Sequence, residues 1–264
     1  MKIAVSATEL TVDGACAFVP TMGALHAGHA SLIKKAREYS DRVVVSIFIN
    51  PLQFENKDDL AKYPRTPEFD IELAASAGAT DLWLPNVDEI YPGEVTKISA
   101  GALGDIYEGV KRPGHFDGVL TVVNRLFGLV KPTWAIFGEK DFQQITLIKS
   151  MKSDVQIIGA PTVRDADGLA LSSRNVRVSD RNAALVIYQA LRAAANEKSI
   201  DGARSVMAEV LSSEGSFTLD YAEIINENNF EKAQQSDANK RAIIAGWVNG
   251  IRLIDNMPMN GGAQ

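Results

Sequence analysis

Two histidines bracket a glycine in Leu25-His26-Ala27-Gly28-His29, at the end of Pro20-Thr21-Met22-Gly23-Ala24 and ahead of an apolar helical stretch. A strand that passes through a glycine-rich turn into a helix is an anion site in outline. The first backbone N–H groups of the helix have no partner within it, the dipole is positive there, and Gly28 allows close approach of a phosphate. His26 and His29 add imidazole donors for charge that develops on a transferring nucleotide. The same dipole disfavours imidazolium, so neutral donors are expected. Gly23 and Gly28 have the spacing of a Walker A loop, but His29 stands where that loop requires lysine, which excludes it.

Other turns offer complementary groups. Asn50-Pro51-Leu52-Gln53 follows an apolar run and brings an amide to the same sheet edge. Gly138-Glu139-Lys140-Asp141 follows another, offering a compact cation for phosphate oxygens and a carboxylate for ribose hydroxyls; Gln143 and Gln144 come directly after it. Ser172-Ser173-Arg174 offers two hydroxyls and a guanidinium suited to a triphosphate. The third histidine, His115, lies in Arg112-Pro113-Gly114-His115, where Arg112 could clamp a carboxylate or phosphate and Pro-Gly is equally an ordinary turn. Cys16 opens an apolar run and reads as a buried structural thiol; as the only cysteine it permits neither an internal disulfide nor a zinc ribbon. Gly-x-Ser-x-Gly and His-Glu-x-x-His are both absent from the sequence.

These turns need a frame. Apolar runs at 16–19, 43–49, 81–84, 134–137 and 156–158 alternate with helical periodicity such as 30–39 and 119–130. That order predicts an α/β fold, a parallel sheet with helices on both faces, with ligands beyond the carboxyl ends of the strands. After residue 175 two helical stretches, 180–196 and 201–211, precede strand-like runs at 221–225, 241–248 and 252–254, which predicts a smaller α+β domain. The boundary is therefore expected at 1–175 and 176–264.

A net charge of −6 argues against a nucleic-acid partner, which asks for a basic face. No basic-then-apolar leader opens the chain and no apolar run approaches the ~20 residues that span a bilayer, so a cytoplasmic protein acting on small molecules is expected.

The His-x-Gly-His turn resembles the nucleotide-binding signature of class I aminoacyl-tRNA synthetases and related nucleotidylyltransferases. Across nearly the whole chain the strings PTMGALHAGH, VVVSIFINPLQF, YPRT, EIYPG, EGVKRPGHF, FGEKDFQQ and LALSSRN, with RLIDN near the C-terminus, resemble the pantoate–β-alanine ligase family in order and spacing. The resemblance implies a Rossmann-like catalytic domain followed by a lid domain, and a homodimer. It implies that pantoate attacks ATP, with Mg2+ assisting, to give pantoyl-adenylate and pyrophosphate, and that β-alanine then displaces AMP. Carried over by motif, His26, His29, Lys140, Ser172, Ser173 and Arg174 would contact the triphosphate and transition state. Gln53 and Gln144 would hold pantoate, Gly138 and Asp141 the ribose, and Met22 and Val163 would line the nucleotide pocket.

Two departures stand out. The segment before Cys16 lacks a basic, glycine-containing stretch, which should affect an edge of the sheet. Phe69 in Pro67-Glu68-Phe69-Asp70 replaces one acid of an acidic run, so no metal ligand is assigned there. The competing readings are a nucleotidylyltransferase acting on another small substrate and a non-catalytic nucleotide sensor. The paired Gln53 and Gln144 argue against a phosphomonoester substrate, and the presence of both His29 and Lys140 argues against a sensor.

Overall fold

The computed structural model describes residues 1–10, 14–54 and 57–259, which form two compact units, Met1–Val163 and Arg164–Gln264. The first is built on strands β1 (Lys2–Ala4), β2 (Ala17–Thr21), β3 (Val43–Ile47), β4 (Asp81–Trp83), β5 (Trp134–Gly138) and β6 (Gln156–Ala160). Its helices are α1 (Ala27–Arg37), α2 (Lys57–Ala61), α3 (Pro67–Ala77), α4 (Val87–Ile90), α5 (Gly101–Gly104), α6 (Glu108–Lys111), α7 (His115–Val130) and α8 (Phe142–Lys149). Every pairing in the sheet is parallel, and the strand order is β1-β4-β3-β2-β5-β6.

Strand alternation explains why the sheet carries helices on both faces. In β2, Ala17 and Val19 pack with Val43 and Val45 of β3, Ile33 and Ala36 of α1, and Ala74 and Ala77 of α3. The intervening Phe18 and Val44 point to the other face, among Val119, Leu120 and Val123 of α7 and Ile145 and Ile148 of α8. Cys16 is fully buried in that second layer, where burial pushes its thiol pKa up, so it is a packing residue. The short edge strand β1 was not foreseen: only Ala4 of its three residues is buried, too weak a pattern to read.

The chain runs outward from β2 through β3 to β4, then returns to place β5 on the other side of β2. The switch point of the sheet therefore lies between β2 and β5, and the crevice outside their carboxyl ends is where such sheets bind ligands.

The second unit contains α9 (Arg181–Ala195), α10 (Ile200–Ser212) and an antiparallel sheet of β7 (Phe217–Asn226), β8 (Lys240–Val248) and β9 (Ile251–Pro258), in the order β7-β8-β9. Both helices cover one face, where Ile187, Leu191 and Met207 meet Ile224, Ala242, Ile244 and Val248. The two-residue loop between β8 and β9 is Asn249-Gly250, with φ of 49° and 77°, the left-handed pair that matches the twist of a tight hairpin.

The division falls between Val163 and Arg164, earlier than the boundary at 175 expected from the polar Ser172-Ser173-Arg174-Asn175 string. The reason is that residues 164–170 are tied into the second unit. Arg164 grips the buried Asp255 of β9 with both terminal nitrogens, the Nη2–Oδ1 distance being 3.0 Å, and its guanidinium lies 5.0 Å from the centre of the Tyr188 ring.

Candidate active site

Three turns leave the carboxyl ends of the adjacent strands β3, β2 and β5, and they carry the predicted groups. The central turn, after β2, begins with Gly23 at φ 82° and Ala24 at φ 49°. A side chain on Gly23 would also meet Ile47 and Asp70 at 3.0 and 3.1 Å, so both conformation and space require glycine. The turn is anchored from α3. The carboxylate of Asp70, 2% exposed, accepts from the backbone N–H of Ala24 at 3.0 Å and Leu25 at 2.7 Å, and from the Thr66 hydroxyl at 2.9 Å.

His26 is the N-cap of α1, and it forms a reciprocal cap with His29. Nδ1 of His26 accepts from the Gly28 N–H at 3.1 Å, and Nδ1 of His29 accepts from the His26 N–H at 3.3 Å. A backbone N–H can only donate, so both Nδ1 atoms are unprotonated and each neutral ring carries its proton on Nε2. The rings lie 4.2 Å apart. Burial pushes His29 down to about 3, with His26 adding a smaller push. His26 is lowered by burial first and by the Lys140 ammonium second. The expectation of neutral donors therefore has a structural cause beyond the helix dipole: an imidazolium would need a proton on the nitrogen that caps the helix.

Lys140 stands in the turn between β5 and α8, 17% exposed and 3.9 Å from the Asp141 carboxylate. This turn lies next to the β2 turn because β5 pairs with β2, and the Lys140 and Asp141 charges both act on the histidine rings. Gly138 ends β5 against α1, where its Cβ position lies 3.9 Å from the Leu32 side chain. Met22 is half-buried in the central turn, and Val163 ends the first unit after β6.

Gln53 closes a single turn of 3-10 helix, Pro51–Gln53, after β3, and Gln144 lies half-buried in the first turn of α8. Because β3 and β5 flank β2, these glutamines come from either side of the histidine turn. The neighbouring Gln143 has a different task. It is 5% exposed, accepts from Glu108 N–H at 3.1 Å and donates to the carbonyls of Leu103 and Ile106, both at 2.8 Å, so it staples the 101–111 segment. His115 is also buried, with Nδ1 3.1 Å from the Gln53 carbonyl, which makes it a brace for the Gln53 turn. Arg112 precedes it, and its carbonyl accepts from the His115 N–H at 3.0 Å.

Ser172, Ser173 and Arg174 are half-buried in the second unit. Their loop is shaped from within: Ser172 Oγ accepts from Arg174 N–H at 3.2 Å, and Asn175 Nδ2 donates to the Ala170 carbonyl at 2.9 Å. Further along the chain, Arg181 of α9 reaches back to bind Asp165 and Asp167.

Sequence reading missed Asp70, Tyr91 and Gln143 as shapers of these turns. Phe69, by contrast, is 54% exposed and takes no part in the turn. Among the described residues no group of three or more His, Cys, Asp or Glu side chains is placed to hold a metal ion, and no helix is long and apolar enough to cross a membrane.

Comparison with known proteins gives the same family along the chain. A family model described as pantoate-beta-alanine ligase matches residues 2–258. The pantothenate synthetase of Acidothermus cellulolyticus is 46% identical over 267 residues, covering 96% of this chain and 88% of that protein. That of Gluconobacter oxydans is 42% identical, with 95% of each chain covered. The crystal structure of pantothenate synthetase from Thermus thermophilus superposes with a TM-score of 0.93 at 40% identity, covering 98% of this chain and 100% of that one. The Francisella tularensis pantoate-beta-alanine ligase, described as complexed with beta-gamma ATP and beta-alanine, gives a TM-score of 0.81 at 35% identity, with 99% of each chain covered. With its family match, its relatives and its fold in agreement, the chain belongs to the pantoate–β-alanine ligase family.

Proposed function

We propose that this protein condenses pantoate with β-alanine to give pantothenate, AMP and pyrophosphate. The observation that carries the reading is the reciprocal histidine cap at the switch point, with two Nε2–H donors at a helix start and a lysine on the neighbouring turn. Such an arrangement stabilises negative charge on a phosphoryl group and supplies no nucleophile of its own. Both nucleophiles then come from the substrates. A pantoate carboxylate oxygen attacks the α-phosphorus of ATP, the bond to the bridging oxygen breaks, and pyrophosphate leaves. The β-alanine amine attacks the acyl carbon of the adenylate, AMP leaves, and the nitrogen loses a proton. Positioning and electrostatics carry both steps.

In this scheme His26, His29 and Lys140 stabilise charge on the phosphates. Gln53 and Gln144 orient pantoate. Gly138 and Asp141 lie along the ribose, and Met22 and Val163 line the nucleotide pocket. Ser172, Ser173 and Arg174 come from the second unit, which acts as a lid whose approach completes the triphosphate site and excludes water from the adenylate. Mg2+, when bound with the nucleotide, would supply charge neutralisation on the phosphates. The working form is a cytoplasmic homodimer.

A substrate panel for AMP release tests the proposal. Pantoate with β-alanine should support turnover well above other hydroxy acids or other amines. Faster turnover on a phosphomonoester or an alcohol would move the protein to the nucleotidylyltransferase reading.

A further inference from the structure

The Gln53 amide has a defined polarity, and its cause lies in a residue remote from the turn. Asn50, 1% exposed, has all of its amide capacity engaged. Its Oδ1 accepts from the Tyr91 hydroxyl at 2.7 Å and from the Leu52 backbone N–H at 3.2 Å. Its Nδ2 donates to the Gly118 carbonyl at 3.0 Å and to Gln53 Oε1 at 2.9 Å. Two of these partners are backbone groups of fixed character. A flipped Asn50 would set NH2 against the Leu52 N–H and oxygen against the Gly118 carbonyl, so the orientation is determined. Gln53 must then present oxygen to Asn50, and its Nε2 faces away as a pair of donors.

The surrounding structure serves this arrangement. Tyr91 is 8% exposed and packs edge-on to Phe48 at 6.1 Å. Burial raises its hydroxyl pKa well above the usual tyrosine range, so it stays a donor. Gly118 has to be glycine, because a Cβ there would run into the Leu52 carbonyl; its absence lets the Gln53 turn seat on α7.

Resting on the assignment of Gln53 to the acid substrate, we propose that Tyr91 is a positioning and specificity residue: through Asn50 it holds Gln53 with its N–H end toward the ligand. That position accepts a carboxylate, hydroxyl or ether oxygen and rejects an ammonium. The two small substrates are thereby told apart, since the amine of β-alanine finds only donors there.

The test is a double-mutant cycle of Tyr91→Phe and Gln53→Ala on the full-length protein. Tyr91→Phe keeps the ring and should raise the pantoate KM by about three- to tenfold, the range of a single net hydrogen bond, while the ATP KM stays within about twofold. Gln53→Ala should raise the pantoate KM further, and in that background Tyr91→Phe should add nothing. The same factor in both backgrounds would show that Tyr91 acts on general stability, which overturns the relay. A pantoate KM unchanged in Gln53→Ala overturns it as well, while leaving the ligase reading intact.

A second measurement does not depend on turnover or on the tyrosine variant. The side-chain amide proton signals of Gln53 in 15N-labelled wild-type protein, identified by their loss in Gln53→Ala, should shift when pantoate is added. Signals that stay in place under saturating pantoate overturn the proposal. A wild-type protein that bound pantoate with this shift yet made no pantothenate would contradict the ligase reading and support the relay.

Discussion

The two units use their buried polar side chains in different ways. In the first, the buried side chains around the candidate site bond largely to backbone: Asp70 to Ala24 and Leu25, Asn50 to Leu52 and Gly118, and Gln143 to Leu103, Ile106 and Glu108. In the second, they pair mainly with one another. Arg241 binds Glu227 at 2.7 Å and Asn256 at 2.6 Å, Arg252 binds Asp220 at 2.9 Å, and Glu223 binds Arg204 at 2.7 Å and Lys232 at 3.1 Å. A side chain that bonds backbone sets the shape of a loop, whereas a pair of side chains ties one element to another. The parallel strands of the first unit end in turns that have no regular shape of their own, and those turns hold the groups proposed to face the ligand. The antiparallel sheet can turn tightly, as at Asn249-Gly250, and needs its polar groups only for cohesion.

The contrast predicts that substitutions at the turns of the first unit slow the reaction, whereas those at the side-chain pairs of the second change it little. The largest effect is expected for His29→Ala and Lys140→Ala, each of which should slow pantoate-dependent pyrophosphate exchange by about 10²–10³-fold, the usual cost of one transition-state donor. Melting should change little by comparison. Near-wild-type exchange in both variants would mean that the wrong turns have been assigned.

Next comes Asp70→Asn, which keeps the volume but removes the charge and one acceptor oxygen. Adenylation should fall by about tenfold through misplacement of the histidine turn. Unfolding free energy should fall by about 2 kcal/mol, as for hydrogen bonds to a charged group. Loss of stability with an unchanged rate per folded molecule would show that the turn holds its shape without Asp70.

A smaller effect is set by pH. The folded His29 binds its proton far more weakly than an ordinary histidine at 6.5, its own value being about 3. Between those values the unfolded chain takes up a proton that the native ring refuses, so stability falls as pH drops through the window and is fully present above it. His29→Gln, measured by denaturant unfolding across pH 4–8, should flatten that acid slope. An identical slope in the variant would assign the acid sensitivity to other groups.

The smallest effect is expected in the second unit, at Arg181→Ala. Its pairs with Asp165 and Asp167 are exposed, and solvent screens such pairs, so melting should barely move and adenylation should change less than in Asp70→Asn. A rate loss here as large as that of Lys140→Ala would erase the division of labour between the units.

What could be read from sequence was local. The strand–turn–helix around His26 and His29 is a contiguous string whose period changes at the glycine, so its position was legible. The parallel sheet and the importance of the turns after its strands followed from the alternation of strands and helices, whereas the strand order that sets the switch point did not. Asp70 and Tyr91 were not legible as turn shapers, because their partners lie 46 and 41 residues away in sequence. The adjacent Gln143 and Gln144 share chemistry and motif, and only the facing of α8 separates a buried staple from a group available to a ligand. The unit boundary was misplaced for a similar reason: Arg164 belongs with the second unit through Asp255, a partner 91 residues away.

The central claim is that the first unit stabilises attack by a substrate carboxylate on the α-phosphorus and contributes no nucleophile. Its most direct test uses pantoate labelled with oxygen-18 in the carboxylate, with ATP and β-alanine, followed by mass spectrometry of the products. One labelled oxygen should appear in AMP and the other remain in the amide carbonyl of pantothenate. Label confined to pantothenate, or found in pyrophosphate, would contradict the acyl-adenylate route and the role given to the histidine turn.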